Sequence, residues 1–560
     1  MDRRSFLEYG VLVGGAGLTG GFGLRPGPRA DLVLRRATLF DGTGAPGIQA
    51  DVGITGDRIS GIGAGAGPQV GTGAEEIDLA GLALAPGFID IHSHADLSLL
   101  VNPRAESRIR QGVTLEVVGQ DGSSVGPWSE DGYRATRERY ARQYGVDIDF
   151  RDIGGFLQRL GRTPAAVNLA SMVGHGTVRE FVVGGADRGA SPEEIRRMRA
   201  TIRSALQQGA VGLSSGLEYT PGSFASTGEV VELARELDGT GYPYASHVRN
   251  EDDRLLAAVE EVLHVGLMAG VPVQISHLKA QGQRNWWKAG AVLRTIEEAR
   301  DSGVDVHFDR YPYVAYSTGL SSLFPPWARA GGTTALLRRL EDPETLPRIV
   351  AFTRAKVALL GSWDAVQITS TRTAGNAGAR GRRLGELAKD LGEEPFELTK
   401  RLIVEESNSV GMIGFGMSEE NTAAILSHPL AMICSDGGSY ATYGPLSGGS
   451  PHPRAYGTFP RLLGRYVRER GDMPLEMAIH KVTGMPAAKL KLRDRGVVRV
   501  GAFADLVAFD PSAVADTATF SSPHQYPLGI PLVIVNGQIT IRDGEQTGAL
   551  AGRPIFGSGE

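Results

Sequence analysis

The 560-residue chain has one cysteine, Cys434. A single cysteine forms no internal disulfide and excludes a metal site built on several thiolates, and it leaves the redox compartment unread. Positive charge is not in excess either. The formal net charge of −5 argues against a nucleic-acid-binding surface. Long apolar runs are missing too: the weakly apolar, glycine-rich stretch at residues 9–22 is short of the about 20 apolar residues a membrane span needs. The 77 glycines are scattered over many short turns, which points to loops and not to a flexible linker.

With 41% hydrophobic and 22% charged residues, the composition is that of an ordinary globular protein. Its length suits a barrel of about 250 to 400 residues plus a second module. Near the start, Arg3-Arg4-Ser5-Phe6-Leu7 reads as a twin-arginine export signal. On that reading, residues 1–30 direct the folded protein to the periplasm or another extracytoplasmic space. The other reading is a tail that happens to hold two arginines on a cytoplasmic protein.

Short β-type runs split by Asp-Gly and Gly-Asp turns occupy residues 30–36 and 51–62, and similar runs recur at 501–510 and 531–541. Residues 31–84 and 486–560 are therefore expected to build one small β-sandwich domain from both ends of the chain. Between them, residues 85–485 repeat a unit of apolar run, titratable residues and helical stretch. The eight runs are 85–91, 114–118, 166–173, 211–215, 242–246, 271–276, 305–308 and 431–434. Eight alternating units predict an α/β fold, a parallel (β/α)8 TIM barrel with its site at the strand C-terminal ends. The long connection at about 315–429 predicts an inserted segment.

The run ends carry the chemistry. The first closes with His92-Ser93-His94; alternate residues of a strand share a face, so both imidazoles project into the barrel mouth and suit a divalent ion. Asp121 follows the second run, as a ligand or as a cap on the next turn. His175 follows the third, to orient substrate or as a hydrogen-bonded structural residue. Tyr219 follows the fourth, as an oxyanion donor or as a pocket wall. His247 and His277 close the fifth and sixth, and four imidazoles at one mouth suit one or two zinc ions. Lys279 shares the face of His277 and offers a cation. Asp436 closes the eighth run, placed to take a proton from metal-bound water and return it to a leaving amine. Cys434 reads best as a small buried apolar residue.

These motifs, GFIDIHSHAD (87–96), VGHGT (173–177), SSGLEY (214–219), YASHVRNE (244–251), ISHLK (275–279), SDGG (435–438) and HPRAYGTFPR (452–461), resemble the amidohydrolase superfamily. Within it they resemble the D-aminoacylase, or N-acyl-D-amino-acid deacylase, family. The resemblance implies a zinc hydrolase that frees a D-amino acid, with His247 and His277 on the tight metal, His92 and His94 on a second, weaker position, and Asp436 as base. One departure stands out. Where the family has Asn-Cys-Gly with a ligating cysteine, this chain has Gln120-Asp121-Gly122, which makes Asp121 the positional substitute. No lysine stands at the third or fourth run end, so no carboxylated lysine is expected. The substrate's carboxylate asks for a cation, and Lys279, Arg310 and Arg454 are the candidates. A cyclic amidase of the dihydroorotase or hydantoinase kind, a dipeptidase, and a ligand-binding barrel without turnover are the competing expectations.

Overall fold

The computed structural model of the chain describes residues 29–63 and 69–557; the twin-arginine motif lies outside them. Eight short strands form the barrel: β1 (Phe88–Asp90), β2 (Val113–Val118), β3 (Asn168–Ser171, carried on by Val173–Gly174), β4 (Leu213–Gly216), β5 (Tyr244–His247), β6 (Val273–Ile275), β7 (Val306–Arg310) and β8 (Ala431–Ile433). Every neighbouring pair is parallel. The ladder breaks at Met172, whose N–H still donates to Val118 O at 2.9 Å. Beyond the strands the two ends of the series meet: Asp436 N–H donates to His92 O at 2.9 Å and His94 N–H to Gly437 O at 3.0 Å. These strands are buried on both faces, as the helix-covered strands of a parallel sheet must be. Among the covering helices, Pro192–Gln207 starts with a Ser191 capping box and a proline in its first turn, and Leu255–Ala269 stops at Gly270 in the left-handed region.

The two ends of the chain share one nine-stranded sheet. Arg29–Leu39, Ile48–Thr55, Arg58–Gly63, Gln69–Asp78 and Ala83–Pro86 join Leu506–Phe509, Leu532–Val535, Gln538–Arg542 and Glu545–Gln546. Leu34, Val52, Ile54, Leu84, Leu506 and Ile534 form its own core. Ile59 N–H donates to Ala502 O at 2.9 Å and Gly501 N–H to Ile59 O at 2.8 Å, so the edge strand Arg58–Gly63 is bonded to the segment that leads into Leu506–Phe509. The first apolar run, 85–91, is split between the two modules. Ala85 pairs with Val507 in the end-to-end sheet, and the barrel begins only at Phe88. Gly87 makes the crossing possible, because a Cβ there would collide with Thr114.

The long connection is a subdomain. Ala315–Gly319, Val366–Ser370 and Gly411–Phe415 make a three-stranded antiparallel sheet, accompanied by helices that include Leu346–Leu360. The helix Glu419–Ser427 lies outside it, packed on β7 and β8 as a barrel helix. The insertion therefore ends before residue 419, ten residues short of the expected boundary at 429. No helix among the described residues is long and apolar enough to cross a membrane.

Candidate metal centre and active site

The C-terminal ends of five strands converge on one point. His92 and His94 follow β1, Asp121 follows β2, His247 ends β5, His277 follows β6 and Asp436 follows β8. Asp121, His277 and Asp436 all have positive φ, at 53°, 36° and 49°. Backbone of this kind is rare for residues with a Cβ and persists where surrounding structure imposes it. At Asp121 the cause is close packing. A Cβ at Gly119 would strike Met172 O, and one at Gly216 would strike Asp121 O. The β2 loop is thus pressed against the ends of β3 and β4, and Asp121 projects into the cavity.

Two donor sets overlap. His92, His94, Asp121 and Asp436 each bring a ligand atom to within 4.8 Å of the others, and so do Asp121, His247 and His277. Asp121 belongs to both. Its Oδ1 lies 3.5 Å from His92 Nε2 and 3.4 Å from His277 Nε2, and its Oδ2 lies 3.5 Å from His94 Nε2. His247 Nδ1 and His277 Nε2 face each other at 2.9 Å. Buried His92 Nε2 and Asp121 Oδ1 have no hydrogen-bond partner. Unpaired buried donors and acceptors are costly, and imidazole nitrogens aimed at one another and at a shared carboxylate fit divalent cations of the zinc type.

The remote nitrogens of three of the four histidines meet carboxylates, the arrangement that fixes a ligating imidazole's tautomer. His92 Nδ1 lies 3.4 Å from Asp309, His247 Nε2 lies 3.2 Å from Glu218, and His277 Nδ1 lies 3.1 Å from Glu251. Asp309, Glu218 and Glu251 were not singled out from the sequence, although all three stand at strand ends, where the signal was available. Lys356, 3.5 Å from Glu218 and 2.7 Å from Asp252, comes from the inserted subdomain and left no sequence signal.

Electrostatics follow from this crowding. Burial works against charge on His92, but Asp121 and Asp309 hold its ring well above the usual imidazole range. For His94, burial is likewise outweighed by Asp121 and Asp436, and its pKa is pushed up to about 9. His94 is 35% exposed, toward the cavity it lines. Burial opposes ionisation of Asp121 and Asp436 as well. Asp121 is nevertheless held far below the carboxylate range by His92 and His277, and Asp436 is lowered chiefly by Arg454. Tyr219 is pushed well above the phenol range by burial and by Asp121, so it stays a hydrogen-bond donor.

A cavity of about 640 Å3 opens over the centre, lined by His94, Asp121, Tyr219, Asp436 and Arg454 together with Trp128 and Phe181. Arg454 Nη1 donates to Asp436 Oδ2 at 2.7 Å. The other three residues expected at the substrate are placed elsewhere. Arg310 points to the opposite side of β7 from Asp309, as strand alternation requires, and donates to Tyr313 O and Thr422 Oγ1, both at 2.9 Å. His175 is buried against Glu229 at 3.3 Å. Lys279 is buried, ion-paired with Glu251 and 2.7 Å from His277 Nδ1. None of the three lines the cavity.

Residues 75–541 match the amidohydrolase family. The chain is 38% identical to a D-aminoacylase of Alcaligenes xylosoxydans xylosoxydans, over 94% of its own length and 97% of the relative's. Among solved structures, it is similar to an N-acyl-D-glutamate deacylase of Bordetella bronchiseptica complexed with zinc and a phosphonate mimic of the tetrahedral intermediate, with TM-score 0.78 and 33% identity over 94% of this chain and 100% of that one. A D-aminoacylase structure described for its binuclear metal centre matches with TM-score 0.78 and 36% identity over the same shares.

Proposed function

The chain belongs to the amidohydrolase family, and from that premise we propose that it hydrolyses the amide bond of N-acyl-D-amino acids, releasing the amino acid and a carboxylate. The observation that carries this reading is the setting of Asp436: one oxygen lies 3.1 Å from His94 Nε2, the other is held by Arg454, and the residue lines the same cavity as the shared Asp121. The protein is a zinc enzyme acting on carbon–nitrogen bonds, as its relatives are. His247, His277 and Asp121 would hold one ion, and His92, His94 and Asp121 a second. Zinc bound there supplies a Lewis acid for the scissile carbonyl and acidifies water.

The rest falls to the chain's own groups. Asp436 is ionised at neutral pH, so it can accept a proton from attacking water at the oxygen near His94 and pass it to the leaving nitrogen. Arg454 keeps that carboxylate turned toward the cavity and, as the arginine in the lining, is the receptor for the substrate's α-carboxylate. The Tyr219 phenol donates to the oxygen on which negative charge develops. Trp128 and Phe181 supply an apolar wall for the rest of the substrate.

The test is a metal determination and an assay of one sample on paired N-acetyl-D- and N-acetyl-L-amino acids, with Asp436→Asn alongside. The expected result is about one or two zinc ions per chain, D-selective release, and a loss of about 10²- to 10⁴-fold in kcat for the variant. Bound zinc with no turnover of either enantiomer would sink the deacylase reading.

A further inference from the structure

The loop after β1 carries His92 and His94, and the loop after β8 carries Asp436. Their backbones touch through two hydrogen bonds, Asp436 N–H to His92 O at 2.9 Å and His94 N–H to Gly437 O at 3.0 Å. A cluster of charged side chains holds both loops as well. Arg108, in the short helix Glu106–Ile109, lies 3.3 Å from Glu116 on β2 and 3.7 Å from Asp90 on β1. All three are fully buried, and none of them lines the metal cavity. Asp90 accepts the Ser435 N–H at 2.9 Å and the Ser435 hydroxyl, and Ser435 Oγ accepts the Gly437 N–H at 3.2 Å. Glu116 accepts the Ser93 hydroxyl, and Ser93 Oγ accepts the Ala95 N–H at 3.1 Å. Arg108 Nη2 donates to Gly437 O and, at 2.7 Å, to Gly438 O.

Charge buried this deeply adds little to stability, because packed apolar side chains of the same volume hold a core as well. Its effect here is geometric. Ser93 stands between the two histidines and Ser435 directly before Asp436, and one guanidinium holds together the carboxylates that grip them. Asp436 has a φ of 49°, a conformation that surrounding structure must impose. A Cβ at Gly437 would stand 3.0 Å from Arg108 Nη2, so the glycine after Asp436 leaves room for the guanidinium. We infer that Arg108, with Asp90 and Glu116, is a positioning cluster that fixes Asp436 relative to His92 and His94. It acts through Ser435 and Gly437 on one loop and through Ser93 on the other. The inference rests on the deacylase reading for the role of Asp436 as base, and it gives that base a support that touches neither substrate nor metal.

Ser93→Ala and Ser435→Ala each remove one hydroxyl and leave the three charges in place. In the zinc-loaded full chain, assayed on an N-acetyl-D-amino acid, each should lower kcat by about tenfold or more, the scale of a small misplacement of a reacting group. KM should stay within about twofold, and zinc per chain should be unchanged. The solvent isotope effect on kcat should rise, because proton transfer at a displaced Asp436 becomes slower. The double variant should lose less than the product of the two single losses, since both hydroxyls serve one cluster. Glu116→Gln keeps an oxygen for Ser93 and should recover most of the kcat that Glu116→Ala loses. Arg108→Lys, a point charge that cannot span two carboxylates and two carbonyls, should show the same kcat loss at constant KM. A kcat within about twofold of wild type in both serine variants, a loss confined to KM, or a loss that tracks missing zinc would overturn the positioning role. If no N-acyl-D-amino acid is turned over, the deacylase reading falls, and the cluster is judged by crystal structures of the wild type and Ser435→Ala. The Asp436 carboxylate must then shift by more than about 0.5 Å, the tolerance of a productive site; an unmoved carboxylate overturns the inference as well.

Discussion

Both oxygens of Asp121 lie within 3.5 Å of an imidazole nitrogen, Oδ1 facing His92 and His277 and Oδ2 facing His94. Zinc in this setting competes with protons, because a ligating imidazole must be neutral. In the metal-free protein the carboxylates raise His92 and His94, the latter to about 9. A raised imidazole stabilises the folded state fully below its unfolded value of about 6.5, and that contribution is lost as pH climbs through the folded value. Asp121 and Asp436 are lowered, so their contribution fades only in acid, below the ordinary carboxylate range. The Tm of the metal-free protein should therefore fall between about pH 7 and 9, and the increment in Tm on adding zinc should grow over the same window. Thermal melts with zinc or with a chelator at several pH values measure both. A zinc increment that shrinks as pH rises would refute the proton competition. The residues gathered here were legible in the sequence because strand alternation and position at a run's end decide what faces a barrel mouth. Arg310 was misplaced although alternation within β7 already turns it away from the side that Asp309 faces, and for His175 the hydrogen-bonded structural reading is the one its pairing with Glu229 fits.

At the scale of elements, a lysine of the inserted subdomain supports a carboxylate behind the metal centre. Lys356, on the helix Leu346–Leu360, bridges Asp252 at 2.7 Å and Glu218 at 3.5 Å, and Glu218 in turn holds His247 Nε2. Replacing Lys356 by methionine keeps the helix and most of the buried stem but strips a counter-charge from Glu218. Support of this kind for a ligating histidine is worth about 10- to 100-fold in metal affinity. Lys356→Met should weaken zinc by that order in a chelator competition while the far-ultraviolet spectrum is unchanged. Unaltered affinity would show that Glu218 holds His247 without help. The length of the connection after β7 announced an insertion, but neither its three-stranded sheet nor the reach of Lys356 was readable, since both arise from contacts between residues tens of positions apart. In the same way the first apolar run read as one strand, because Pro86-Gly87 gives no local sign that the chain leaves one sheet and enters another there.

Across the whole molecule, the barrel and the end-to-end sheet are joined by a buried polar knot. Asn168, the first residue of β3, donates from Nδ2 to Thr114 O at 2.9 Å and to Asp505 Oδ2 at 3.2 Å. Its Oδ1 accepts from Asn536 Nδ2 at 2.8 Å and from Arg553 N–H at 3.0 Å. Asp505 also pairs with buried Arg495 and accepts from Asn536 N–H at 2.7 Å. Similar runs at the two ends of the sequence pointed to a shared sheet, whereas the knot depends on four single side chains, one in the barrel and three far along the chain, near its end. Its members are all buried apart from the edge residue Arg553, so removing one leaves others without partners, and the penalty exceeds that of any surface pair. Asp505→Ala strands Arg495 and should lower the unfolding free energy by about 3 to 5 kcal/mol, read from the midpoint of a guanidinium titration. The metal ligands stand at the opposite, C-terminal ends of the strands, so zinc content per folded chain should stay at the wild-type value. A loss below about 1 kcal/mol, the size of an exposed ion pair, would mean that the two modules are held by their apolar contact alone.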